Sequence, residues 1–415
     1  MRRVNASRRI LRGNVGFTLA ELLVATFLGL VVVTSIYLVL IGSSQQYALQ
    51  QQIVAAQESM RFSMDFMKNE MKGFGRMSVA NGILPKGAAD GLGVRDPSFC
   101  PIRSGIQGIE LFENDLDTPS ILANAPNSLS PDRLRFLKDA PGATVLTIQR
   151  IAGRTVSLAR ADRQPTEVSR RLANTPERMS KAFAAGHYLM VLSRSGLTDF
   201  VPIADFRFAQ TGSEIDLTET PCDLAGASLV TECAFDGCLA APVQLVEYRV
   251  QEAPDNNTVT QLVRQIKDAR SPTDDLNANR LVLADYVVNF QVLATIDQRT
   301  PAQIENRLAG LGSGPIIVPD DDPRDDRGNG VGDTESEAIN EKPEKIRSLE
   351  VILSVRTARE DEEFLVAIDR SQSADSRQPL ERNWFDIDGV LDTGLARVTT
   401  LSFSADTPNL YRGPE

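Results

Sequence analysis

A single histidine, His187, stands among 415 residues, with four cysteines and one tryptophan. The cysteines, Cys100, Cys222, Cys233 and Cys238, form no C-x-x-C pair, and one histidine cannot complete a Cys/His zinc set. Common catalytic signatures are missing too. There is no G-x-S-x-G elbow, no Walker A loop and no H-E-x-x-H helix, and "GLGSGP" lacks the strand-to-helix setting a phosphate loop requires. His187, in "AAGHYLMV", has no serine or cysteine motif beside it and reads as a structural or surface residue. Trp384, in "RNWFDID", reads as a packing aromatic. Positive charge is also short: 44 Lys+Arg face 55 Asp+Glu, for a net −11. Without the first sixteen residues, which hold five arginines, the balance is 39 against 55, or −16. A body this acidic repels nucleic acid, and that partner class is excluded.

What is present begins at the N-terminus. Leu22 to Ile41 is a run of twenty residues without a charged side chain. At 1.5 Å per residue it matches a hydrocarbon core of about 30 Å. Arg2, Arg3, Arg8, Arg9 and Arg12 all precede it, so the bias for positive charge on the cytoplasmic side places the N-terminus in the cytoplasm and the rest outside. A cleaved secretory signal has a shorter apolar region and a small-residue cut site, which "VLIGSSQQ" does not supply. A plain anchor explains the length but not Glu21, because an ionisable group at the edge of a span is costly and has a role.

The residues around Glu21 carry a resemblance. "GFTLAELLVA" resembles the cleavage and assembly signal of type IV prepilins, in which a basic leader ends in glycine and the mature chain starts with phenylalanine. The resemblance implies a leader over 1–16, cleaved by a prepilin peptidase between Gly16 and Phe17, with N-methylation of Phe17. Glu21 is then the fifth mature residue, where the family's glutamate meets the amino terminus of a neighbouring subunit. Two charges in a low-dielectric setting need such partners.

After Ile41 the chain remains proline-free and rich in helix formers to Lys72. Ile53, Ala56, Met60, Met64, Met67 and Met71 recur at three- and four-residue steps, an amphipathic stripe that Gly73 and Gly75 end. This predicts one helix from about Thr18 to Lys72, with a membrane half over 17–41 and an amphipathic half over 42–75 whose apolar face packs on a sheet. Residues 84–131 read as surface loops, and 161–185 as holding a short polar helix.

Strands fill the remainder, 76–415. "TVLTIQRI" and "RTVSLAR" flank Ala152-Gly153 as a hairpin. "HYLMVLS" and "DFVPIADFRFAQ" follow, then "VQLVEYRVQ" and "TVTQLVRQIK" around the turn "APDNN", with alternation at Val243, Leu245, Tyr248 and Val250. "LVLADYVVNFQVLAT", "KIRSLEVILSVRT" and "LARVTTLSFS" read as longer strands. A helix followed by strands predicts an α+β fold with a mainly antiparallel sheet, in one head of two packed sheets. The order of "MRFSMDFMKNEMKGFG", "FAAGHYLMVLSRSGLTDFVPIADF", "VEYRV…LVRQI", "LADYVVNFQV" and "IRSLEVILSVRT" resembles PilW-type minor pilins. That resemblance implies a non-enzymatic, inner-membrane subunit with a periplasmic head. Its partners would be other minor and major pilins, a tip adhesin and the inner membrane lipid. The large J-type pseudopilins of type II secretion share much of the pattern. An exported binding module or enzyme on a pilin-like anchor is the reading from a different class.

Two features stay open. Cys222, Cys233 and Cys238 fall within "PCDLAGASLVTECAFDGC", a spacing that permits one short disulfide, with the leftover cysteine reaching Cys100; free buried thiols are the alternative. The acidic stretch 318–344, "VPDDDPRDDRGNGVGDTESEAINEKPE", reads either as a solvated loop or as a Ca²⁺ loop with Asp325, Asn329 and Asp333 around Gly330. Arg327 stands where such loops place a second carboxylate, and Glu337 is one place late for an EF-hand.

Overall fold

The computed structural model describes residues 18–72, 109–112, 119, 122, 131–193, 198–209, 212–221, 223–224, 227–228, 230, 233, 237–270, 280–296, 316–317, 346–358, 384–385 and 396–406. The N-terminal helix, α1 (Leu19–Met71), is continuous over 53 residues, close to the predicted limits. The chain divides into two compact units, 1–55 and 56–415, so the two parts of α1 belong to different bodies.

In the first unit every described residue from Thr18 to Leu40 is exposed. This part of α1 is long and apolar enough to cross a membrane, and none of its most apolar stretch is buried. Leucines, valines and phenylalanine stand exposed on all sides of this part of the helix, each forgoing about 1.5–3 kcal/mol of burial, a pattern consistent with an apolar surrounding.

The second unit is the α+β body, and all pairings among its described strands are antiparallel. Its strands are β1 (Ile109–Phe112), β2 (Arg133–Asp139), β3 (Leu146–Ala152), β4 (Thr155–Leu158), β5 (Tyr188–Leu192), β6 (Thr198–Arg207), β7 (Glu214–Leu217), β8 (Asp223–Leu224), β9 (Ala227–Ser228), β10 (Leu239–Ala253), β11 (Asn256–Lys267) and β12 (Arg280–Asp285). They continue with β13 (Val287–Ile296), β14 (Ile316–Ile317), β15 (Ile346–Arg356), β16 (Trp384–Phe385) and β17 (Ala396–Asp406). Two helices, α2 (Glu167–Ala173) and α3 (Pro176–Ala182), lie between β4 and β5, preceded by a 3₁₀ turn at Ala161–Arg163. The single short helix expected over 161–185 is therefore two, and β1 is a strand inside the 84–131 stretch that read as loops.

β10 is the spine of this body. At its start it pairs with β3 on one side and β5 on the other; further along, β2 and β11 take those places. The path β10–β3–β4–β7–β6–β5 returns to β10, so six strands close on themselves. Closure gives each of those strands partners on two sides over part of its length, which shortens the edges left open. Inside lie Leu146, Val156, Val191, Ile203 and Ile215, with Leu172 of α2 and Met179 of α3 packed on the same cluster. Gly153, at φ 60°, makes the tight β3–β4 turn that lets this circuit start. The other half of β10 belongs to an open sheet that covers α1.

β10 is buried on both faces along most of its length. The alternation expected at Val243, Leu245, Tyr248 and Val250 therefore splits. Val243 and Leu245 join a small cluster with Leu137 and Met190, while Tyr248 and Val250 join the core beneath α1. That core contains Met60, Met64, Met67 and Met71, with Phe136 and Val246 from the first sheet and Phe290 and Val351 from the second. Met60 and Met67 are wholly buried. Unbranched methionine fills the uneven space between a helix and two sheets with little rotamer strain.

The stretch "LVLADYVVNFQVLAT", expected as one strand, breaks at Tyr286. β12 ends in the first sheet, and β13 begins the second, which runs β14–β13–β15–β17–β16. Tyr286 sits at φ 60°, a left-handed backbone that costs a non-glycine residue on the order of 1 kcal/mol. Contacts around the corner offset it. The Arg356 N–H donates to the Tyr286 carbonyl at 2.9 Å, and the buried Arg356 guanidinium lies 5.1 Å from the tyrosine ring and 5.8 Å from that of Phe385. The Asp132 N–H donates to the Phe290 carbonyl at 2.7 Å, and its carboxylate accepts from the Val292 N–H at 2.8 Å, tying the approach to β2 to the second sheet.

One polar contact ties α1 to the bulge in β12, where Leu283 is the extra residue between the pairs Leu262–Ala284 and Val263–Val282. The Ser63 hydroxyl, wholly buried, lies 2.7 Å from the Leu283 carbonyl and 2.7 Å from the Ser59 carbonyl one turn earlier in α1, so its one hydrogen is shared between the sheet and its own helix. Ser63→Ala should lower the unfolding free energy by about 1–3 kcal/mol, the cost of leaving a buried carbonyl without a donor. Urea denaturation of the full chain in detergent, parent against variant, checks this; a difference near zero would mean that the contact carries no stability.

Candidate functional sites at the two ends of the helix

Glu21 begins α1 at the third helical position, three residues after Thr18. The Thr18 N–H donates to Glu21 Oε2 at 2.9 Å, the Thr18 hydroxyl to the same oxygen at 3.0 Å, and the Glu21 N–H to Thr18 Oγ1 at 3.2 Å. This is a capping box: Ser/Thr and Glu three apart satisfy two of the N–H groups that a helix start leaves without partners. A carboxylate there is also favoured by the positive end of the helix dipole. Glu21 thus has a task inside its own chain, which the pattern T-x-x-E could have disclosed and which a reading of its charge alone passes over.

At the other end Glu70 is buried among donors from three strands. Arg264 of β11 approaches with Nη2 2.7 Å from Oε1 and Nε 3.1 Å from both oxygens, a bidentate clamp. Lys138 of β2 bonds to Oε1, and the Tyr248 hydroxyl of β10 donates to Oε2. Burial alone pushes the Glu70 carboxyl upward. The Arg264 and Lys138 bonds, the Lys138 charge and the Tyr248 hydroxyl outweigh it and hold the group below its ordinary 4.5. Burial and the Glu70 charge drive the Tyr248 phenol far above its usual range, so it stays a donor.

A second buried carboxylate, Glu247, lies on the opposite face of β10. Arg135 of β2 donates to it at 2.8 Å, and Lys267 of β11 is 3.0 Å away. Both carboxylates thus bridge the strands on either side of β10.

His187 is half-buried. Its Nδ1 lies 2.8 Å from the Ala182 carbonyl at the end of α3, and its Nε2 lies 2.8 Å from Gln244 Nε2 on β10. Burial holds the imidazole below its ordinary 6.5, partly opposed by the Ala182 bond and the Asp268 charge. A cleft of about 310 Å³ opens elsewhere, beside Leu146, Leu158, Met179, Phe208, Arg160 and Asn174. Its described lining includes neither a carboxylate nor an imidazole.

Cys233 and Cys238 are joined in a disulfide with Cα atoms 5.3 Å apart, buried in the core of the closed strands. Gly16, Phe17, Cys100, Cys222, Asp325, Asn329 and Asp333 lie outside the described residues, as do the leader and the acidic stretch 318–344. Among the described residues no group of three His, Cys, Asp or Glu side chains is placed to hold a metal ion.

Glu70→Ala should cost about 3–5 kcal/mol of stability, because it leaves Arg264 and Lys138 as charges without their shared partner in a largely buried site. A depressed carboxyl contributes stability that is complete above its unfolded value and is lost as pH falls through the folded value. The gap between parent and variant in urea denaturation should therefore be full at pH 7 and shrink below about 4.5. A gap independent of pH would show that the carboxylate's charge is not what holds the site.

Compared with family models, with curated proteins and with solved structures, the chain matches none.

Proposed function

We propose that this chain is a type IV pilin-like subunit of the PilW-type minor class, which acts by assembly and performs no chemistry of its own. The observation that carries the reading is the division of labour along α1. Its first half exposes apolar side chains throughout, its last turns are buried in a β-rich body, and a carboxylate stands at its first turn. An anchor alone needs the first property, and a soluble core helix only the second. A subunit that must leave a membrane and pack its helix among others needs all of them.

In this account a prepilin peptidase cuts between Gly16 and Phe17, and the new amino terminus of Phe17 is methylated. The basic leader stays in the cytoplasm, Leu22–Ile41 spans the inner membrane, and the body lies in the periplasm. Both Thr18 bonds fall on Glu21 Oε2. Among the described residues no bond to Oε1 competes, and in this account it takes the charged amino terminus of a neighbouring subunit, so one carboxylate caps its own helix and docks the next. Pairing the two charges lifts the cost of keeping either in lipid. The size of the body favours a terminal position in a filament, with other minor pilins and an adhesin as neighbours.

Capping and docking separate by mutation. Glutamine at the third helical position preserves a capping box, whereas alanine removes it. Glu21→Gln and Glu21→Ala should both reduce the subunit recovered in assembled complexes by roughly tenfold or more, as loss of a charge-assisted contact of about 1.5–3 kcal/mol requires. Glu21→Ala alone should also speed hydrogen exchange at the start of α1. Wild-type recovery with Glu21→Gln would leave capping as the whole role of this residue and sink the docking mechanism.

A further inference from the structure

The two bonds of His187 fix its protonation state. A carbonyl only accepts, so Nδ1, facing the Ala182 carbonyl, must carry the hydrogen. An amide nitrogen only donates, so Nε2, facing Gln244 Nε2, must be bare. The ring is the neutral Nδ1–H tautomer. Gln244, 4 % exposed, spends one of its two amide hydrogens on this bond, while its buried Oε1 meets no hydrogen-bond partner among the described residues. A buried amide oxygen left idle is an unstable use of the group.

Protonation reverses the arrangement. A proton on Nε2 faces the amide N–H groups and repels them. Turning the Gln244 amide over by half a turn brings Oε1 to accept from Nε2–H, and the amide nitrogen takes the oxygen's former place. Each state satisfies the ring and leaves one side of the amide idle.

Charged groups stand on the surrounding elements. Asp268, after β11, favours a cation on the ring. It is shared with Arg270, whose Nη2 lies 2.8 Å away. Gly186, at φ 90°, lets this carboxylate come close, for a Cβ there would lie 2.9 Å from Asp268 Oδ1. On β2, Lys138 is the cross-strand partner of Gln244 and the same side chain pairs with Glu70. β6 contributes backbone, the Ile203 N–H donating 2.8 Å to the His187 carbonyl, and α3 presents the Ala182 carbonyl.

We propose that His187 and Gln244 form a proton-operated latch that transmits acidification to the end of α1. The neutral ring accepts from the Gln244 amide; the protonated ring donates to it after the amide turns over; the new cation then weakens the hold of Lys138 on Glu70. The last turn of α1 loosens in acid and tightens again at neutral pH. The device is independent of whether the chain assembles into a filament.

Because His187 is the only histidine, ¹⁵N-histidine labelling of the full chain in detergent gives one pair of ring signals to follow from pH 8 to 4.5. At pH 7.5 the expected pattern is the Nδ1–H tautomer. In Gln244→Glu a carboxylate accepts from Nε2–H without turning, so the titration midpoint should rise by about one unit or more. Hydrogen-exchange protection at Lys68–Met71 should fall at least threefold between pH 7 and 5, after correction for intrinsic exchange, and should hold constant in His187→Gln; threefold is on the order of 0.65 kcal/mol. The Nε2–H tautomer at pH 7.5, or a Gln244→Glu midpoint equal to the parent's, would overturn the latch. Unchanged protection in the parent would overturn its link to α1, and the parent's two readings decide the matter even where a variant fails to fold.

Discussion

The body of this protein depends on how one buried carboxylate is held. Glu70 ends the part of α1 that packs on the sheet, and its two oxygens take donors from β2, β10 and β11. A helix lying on a sheet through methionines alone could slide, because methionine packs equally well in several registers. A carboxylate with a bidentate arginine, a lysine and a phenol around it has one register in which all donors are met. Burial makes that choice sharp, since a shift by one turn would strand a charge in the core. The methionine stripe supplies apolar burial, and Glu70 supplies position.

The same logic runs through β10. Its long span lets one half close the six-strand circuit and the other half form the floor under α1, so the two regions share a backbone and cannot move apart without breaking ladder bonds. The second sheet is reached in one step through Tyr286, whose left-handed backbone is held by Arg356. Helix, circuit and second sheet thus meet around a single spine.

How much of this was legible in the sequence depended on the range of the interactions. The methionines recur at helical spacing, and a three- or four-residue period is read within a few turns. Most strands and the β3–β4 and β10–β11 turns were likewise local signals. Glu70 was not legible as a site, because its partners lie 68, 178 and 194 residues away. Closure of the strand circuit is a matter of long-range pairing in the same way, and nothing in β3 or β5 alone announces that both meet β10. Tyr286 concealed the corner, since tyrosine is a strand former and seldom adopts positive φ. The capping box at Thr18 and Glu21 was local and readable. It passed unread because the carboxylate invited an explanation in terms of charge.

The two ends of α1 use the same chemical group for different ends. Glu70 is buried and finds all its partners within the chain, whereas Glu21 is exposed and finds in Thr18 only part of what a carboxylate can accept. The assembly account requires the missing partner to be a freed amino terminus, which exists only after cleavage. Mass spectrometry of the protein isolated from a host with an active prepilin peptidase tests this most directly. The account predicts a chain that begins at Phe17 and carries one added methyl group on its amino terminus. A chain that still begins at Met1 would contradict it.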